Sequence, residues 1–69
     1  MKNDTKKQFG ARVKELRHTK GLSQEELANK AGLHRTYISD IERGDRNVSL
    51  ENIYKLAKGL SVVVRELFG

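Results

Sequence analysis

The sequence predicts an all-α fold: one small domain of five short helices, residues 1–69, around a single core. Three observations predict it. Apolar residues recur at three- and four-residue spacings along most of the chain, the period of a helix with one buried face. Thr5 and Ser23 are each followed three residues later by Gln or Glu, the pattern of an N-terminal capping box. Gly21, Gly32 and Gly44 fall where the apolar stripes stop, and no proline interrupts the chain. A chain this short buries only about 60% of its unfolded surface, so it needs good caps or a partner.

The polar start, Met1–Asp4, is expected to fray. Helix 1 is expected from Thr5, capped by Thr5 with Gln8, with Phe9, Val13 and Leu16 as its apolar stripe. Lys6, Lys7, Arg12, Lys14 and Arg17 are placed facing away from that stripe. Arg17, His18 and Lys20 suit the negative end of the helix dipole, and Gly21 ends the helix. Helix 2 runs from about Gln24 to Ala31, with Ser23 and Glu26 as capping box and Leu22 stapled to Leu27. At Gly32 the chain must reverse, through a left-handed conformation that glycine adopts without a Cβ penalty. Helix 3 runs from about Arg35 to Arg43. Leu33 and Ile38 staple it, and His34 is a weaker N-cap than Ser, Thr, Asn or Asp. Gly44 ends it, before the polar loop Asp45-Arg46-Asn47. Helix 4 starts at Ser49, with Val48 and Ile53 as staple and Ile53, Leu56, Ala57 and Leu60 as stripe. Gly59 either costs about 1 kcal/mol relative to Ala or marks an early end. Ser61 is a poor residue for the left-handed turn expected after Leu60. Val62–Phe68 reads as a short helix 5. Val62 and Leu67 fit a staple, but Val63 is a poor cap and three successive valines favour strand. A lone strand would have nothing to pair with.

Helices 2 and 3, residues 24–43, organise the rest. Leu27, Ala28 and Ala31 face Ile38 and Ile41, and the small Ala28 lets the helices cross closely. Opposite Ile38 and Ile41 lie Thr36, Ser39, Asp40 and Arg43, with Arg35 and Tyr37 at the edges. A helix packed on a core with such an outer face suits the major groove of DNA. Arg35 can reach guanine O6 and N7 with two parallel donors. Thr36 can donate, accept, or offer its methyl to thymine. Tyr37, Ser39, Arg43, Arg46 and Asn47 can reach phosphates. Asp40 suits orienting an arginine better than reading a base, and Glu42 suits pairing with a nearby arginine. Arg17 joins the candidate DNA-binding set.

The spacing of Ala28, Gly32, Ile38 and Ile41 resembles the helix-turn-helix family of phage repressors and Cro, over about Phe9–Phe68. Within that family, HRTYISDIERGDRNVSLENI looks like the controller proteins of restriction–modification systems. The resemblance implies a lambda-repressor-like domain and a transcriptional regulator, with Gln24 at a phosphate. It also implies cooperative binding at adjacent operators, which times the endonuclease gene after the methyltransferase. A phage-type or metabolic repressor or an antitoxin of the same fold remains the alternative. From another class, a protein-interaction module without DNA binding stays open.

Val62, Val63, Val64, Leu67 and Phe68 are more apolar than so small a surface easily hides. They are expected to form a homodimer interface at about residues 60–69. A dimer presents two helices to half-sites about 34 Å apart on a pseudo-palindromic operator. Repression would then come from occluding RNA polymerase, and activation from touching it.

Fourteen Lys and Arg against nine Asp and Glu give a net charge of +5, which suits a phosphate backbone. Without Cys there is no disulfide or thiolate metal site. The sequence has no long apolar run for a membrane span or secretory signal, so a cytoplasmic protein is expected. Glu25 and Glu26 are adjacent and point about 100° apart on a helix. His18 and His34 lack metal-site spacing, and the serines lack a His/Asp constellation. No enzyme activity, cofactor, metal or small-molecule ligand is expected.

Overall fold

The computed structural model describes residues 4–69, so the start of the expected frayed segment, residues 1–3, lies outside it. Four α-helices follow in order: α1 (Thr5–Thr19), α2 (Gln24–Ala31), α3 (Arg35–Glu42) and α4 (Leu50–Leu60). A 3₁₀ helix, Val64–Phe68, closes the chain. The fold is the expected all-helical one, and no strand occurs among the described residues.

The local signals explain most boundaries. Ser23 and Glu26 form the full capping box at α2. Ser49 caps α4 by accepting from the Asn52 N–H. The ends of α1, α2 and α4 share one device. Leu22, Leu33 and Val62 donate their N–H back to the carbonyls of Arg17, Ala28 and Ala57 at 2.9–3.0 Å. Each apolar residue then packs against the core. The residue before Val62 is Ser61, at φ 59°, the only non-glycine with positive φ among the described residues. Two expectations shift. The N-cap of α1 is Asp4 rather than Thr5, and it makes no side-chain cap bond. The fifth helix is 3₁₀ rather than α: Val63 caps it without a side-chain bond, as a valine must.

The core joins Val13 and Leu16 of α1, Leu27 and Ala31 of α2, Ile38 and Ile41 of α3, Leu56 and Leu60 of α4, and Leu67 of the closing 3₁₀ helix. Two glycines set how closely the helices meet. A Cβ on Gly10 would lie 2.0 Å from the Ile41 carbonyl oxygen, so α3 rests directly on the α1 backbone. Gly59 lies inside α4 rather than ending it, and a Cβ there would come within 3.0 Å of Ala31 in α2. The 3₁₀ helix is held by Leu67 in the core, by Arg12 Nε donating to the Glu66 carbonyl at 2.7 Å, and by Phe68 against Phe9 with ring centroids 5.4 Å apart.

Candidate nucleic-acid interface

Ile38 and Ile41 are fully buried, so α3 has one fixed orientation and presents its opposite side outward. Arg35 and Thr36 are exposed at its N-terminal end. Tyr37 and Ser39 are half-buried, while Arg43, Arg46 and Asn47 are exposed. The sequence thus brings seven of its candidates to one side of the molecule, along α3 and the loop after it.

Asp40 is the hub of that surface. One of its oxygens accepts from Arg43 Nη2, and the other accepts from Arg46 Nε at 3.3 Å. Arg43 also donates to Ser39 Oγ at 2.7 Å and to Asp45 Oδ2 at 3.1 Å. The hydrogen bond to Asp45 is the largest influence and raises the Arg43 pKa; desolvation opposes it, and the Asp40 and Asp45 charges then add smaller upward pushes. The Arg46 guanidinium lies 5.1 Å above the centre of the Tyr37 ring, a cation–π contact. Asn52 of α4 donates to the Tyr37 hydroxyl oxygen at 3.0 Å, so the ring under Arg46 is itself anchored. The Tyr37 hydroxyl keeps its own proton to donate. The expectation that Asp40 orients an arginine is met twice.

Arg17 is a correction. It is only 7% exposed. Its Nε and Nη2 donate to the two Glu42 oxygens at 2.6 and 3.0 Å, and Nη1 donates to the Leu22 carbonyl at 2.8 Å. Arg17 therefore faces into the molecule and ties α1 to the end of α3. Glu42 does pair with an arginine, as expected. Gln24 joins the same network by donating to Glu42 Oε1 at 3.1 Å, which leaves one amide N–H for a ligand.

The expected self-association residues divide. Leu67 is 0% exposed and belongs to the core, so it is removed from any interface. Val62 and Val64 are half-buried against the core, while Val63 and Phe68 are exposed. Leu50 and Tyr54, one turn apart on α4, are also exposed apolar side chains outside the expected set. The signal was present in the sequence, since both flank the same edge of the Ile53–Leu56–Leu60 stripe. Among the described residues no group of three or more His, Cys, Asp or Glu could hold a metal, and no helix is long and apolar enough to cross a membrane.

Residues 13–67 match the helix-turn-helix family. The chain is 53% identical over 68 residues to control protein C.BamHI of Bacillus amyloliquefaciens, covering 97% of this chain and 84% of that one. It is 51% identical over 67 residues to control protein C.MunI of a Mycoplasma species, covering 96% and 90%. Its structure is similar to that of the restriction-modification controller protein C.AhdI from Aeromonas hydrophila, with a TM-score of 0.89, 57% identity, and 91% and 96% coverage. The wild-type restriction-modification controller protein C.Esp1396I gives a TM-score of 0.89 at 37% identity, covering 97% of this chain and 88% of that one. The match spans α2 and α3 together with the helices packed around them, and this chain belongs to the helix-turn-helix family.

Proposed function

We propose that this chain is a sequence-specific DNA-binding transcriptional regulator, the controller protein of a restriction–modification system. It acts as a homodimer on a pseudo-palindromic operator. The observation that carries this reading is the outer face of α3. It is held rigid by Ile38 and Ile41 and offers exposed Arg35 and Thr36 at its N-terminal end. Arg35 reads guanine and Thr36 an adjacent base, while Tyr37, Ser39, Arg43, Arg46, Asn47 and the free N–H of Gln24 hold the backbone. The net charge of +5 adds sequence-independent attraction. The relatives named as controller proteins support the restriction–modification assignment.

The dimer forms on apolar surface that one copy leaves exposed: Leu50 and Tyr54 of α4, and the expected Val63 and Phe68, with Val62 and Val64 half-buried against the core. No cofactor takes part. Repression follows from occluding RNA polymerase, and activation from contact with it.

The test is selection from a random duplex DNA library, wild type beside Arg35→Ala, at about 150 mM salt, where loose phosphate binding fades. Enrichment of an inverted repeat by wild type alone is expected. A folded wild-type protein that enriches no sequence overturns the reading in favour of an interaction module.

A further inference from the structure

An arginine on a DNA-facing loop normally keeps a rotamer freedom that it loses on ordering, and its charge attracts any phosphate. Arg46 is different on both counts. Its Nε is tied to Asp40, its guanidinium lies over Tyr37, and Tyr37 is anchored to Asn52. Its neighbour Arg43 is consumed: three of its five N–H groups already go to Asp45, Ser39 and Asp40. Arg46 spends one and keeps four. The carboxylate between them lies below the surface, its side chain 19% exposed against 58% for Arg43 and 52% for Arg46. Two cations and the two anions Asp40 and Asp45 leave this patch neutral.

We infer, on the DNA-binding reading above, that Asp40 is a positioning residue that raises sequence discrimination through Arg46. Its negative charge subtracts from the attraction that every duplex exerts. Its hydrogen bond holds Arg46 in one pose, so the four remaining N–H groups meet DNA only in the register that α3 sets. Arg43 acts first as a strut that fixes Asp40, and its two remaining N–H groups make it a lesser backbone contact. Asp40 itself touches no DNA.

The test uses two probes: the inverted-repeat duplex that wild type enriches from a random library, and a random-sequence duplex of equal length. Asp40→Asn is expected to bind the random duplex more tightly, with steeper salt dependence. The ratio of specific to random affinity is expected to fall about tenfold, because a released Arg46 reaches phosphates in registers other than the one α3 sets. In an Arg46→Ala background Asp40→Asn is expected to leave that ratio unchanged. Asp40→Glu keeps the charge but moves it, so it is expected to lower the ratio with no gain on the random duplex. An equal gain on both probes in Asp40→Asn, with no loss of ratio in Asp40→Glu, overturns the assignment and leaves Asp40 a repelling charge. A fall in ratio that persists in Arg46→Ala overturns it too. A wild type that enriches nothing overturns the DNA reading and this assignment together. A clear enriched site with an unchanged ratio overturns this assignment alone.

Discussion

Arg17 and Arg46 carry the same guanidinium, and each lies against a carboxylate. Arg17 sits below the surface with both Glu42 oxygens, the Leu22 carbonyl and a link to Gln24. Arg46 lies on the surface with one bond to Asp40 and an aromatic ring beneath it. In the interior a charge must be paired and all its partners satisfied, because removing it from water is expensive. No buried side-chain nitrogen or oxygen lacks a partner among the described residues. On the surface water screens the pair, and the remaining N–H groups are free to bind. Burial therefore withdraws Arg17 from any DNA surface, although its residue type is that of Arg46.

The sharpest way to break this contrast is to remove the inner carboxylate. Glu42→Ala strands the Arg17 charge and is expected to cost about 3–5 kcal/mol of stability. Replacing both partners by apolar residues, Arg17→Met with Glu42→Leu, is expected to cost far less than either single change. Urea unfolding of Glu42→Ala, the double variant and its two single changes checks this. A Glu42→Ala protein as stable as wild type would show that Arg17 escapes to water.

The same α1–α3 seam can be probed without charge. Gly10→Ala gains about 1 kcal/mol of helix propensity, but its methyl meets the Ile41 carbonyl at 2.0 Å. The clash dominates, because backbone cannot swing aside as a side chain does. A net loss of about 1–3 kcal/mol is expected from overpacking, with the Arg17–Glu42 pair disturbed alongside. Thermal melting decides the sign.

Substitutions on the outer surfaces are expected to spare the fold. Arg35→Ala should cost about 1–3 kcal/mol on the specific duplex and relax one base position, with an unchanged melting curve. An equal loss on random DNA would demote Arg35 to a phosphate contact. Tyr54→Asp is expected to shift sedimentation from dimer to monomer while helicity is retained. Leu67→Asp is expected to unfold the protein, since that residue lies wholly inside. A folded Leu67→Asp monomer would return the interface to the chain end.

Much of this was legible in the sequence. Ser23 with Glu26, Gly32 and Ser49 announce their caps and turn through local chemistry, and those hold within a residue. The α3 face followed from Ile38 and Ile41 alone, since a helix with two fixed apolar anchors has one orientation. The α1 stripe holds, with Val13 and Leu16 buried and Phe9 packed against the core, but it is too narrow, because Gly10 and Arg17 are buried as well. Arg17 follows Val13 by one helical turn, and Gly10 leads it by two, but a charged residue and a glycine do not register as core. Leu67 was read as interface because an apolar chain end does not reveal how much of it folds back. Arg12 bonding to the Glu66 carbonyl is a contact across 54 positions that no local pattern carries.

The smallest expected effect sharpens the comparison most. Arg43 makes three side-chain bonds, more than Arg46, yet 58% of its side chain is exposed. If the number of bonds set the contribution to stability, Arg43→Ala would rank near Glu42→Ala. If burial sets it, the unfolding midpoint should barely move, because exposed pairs lose most of their Coulomb gain to water and side-chain entropy. Raising the salt separates the two further. The loss in Glu42→Ala should persist at about 0.5 M salt, since buried charges are little screened, whereas any residue of the Arg43→Ala effect should fade. A large, salt-resistant loss in Arg43→Ala would place the Asp40 cluster with the interior pair, as part of what holds α3 in place.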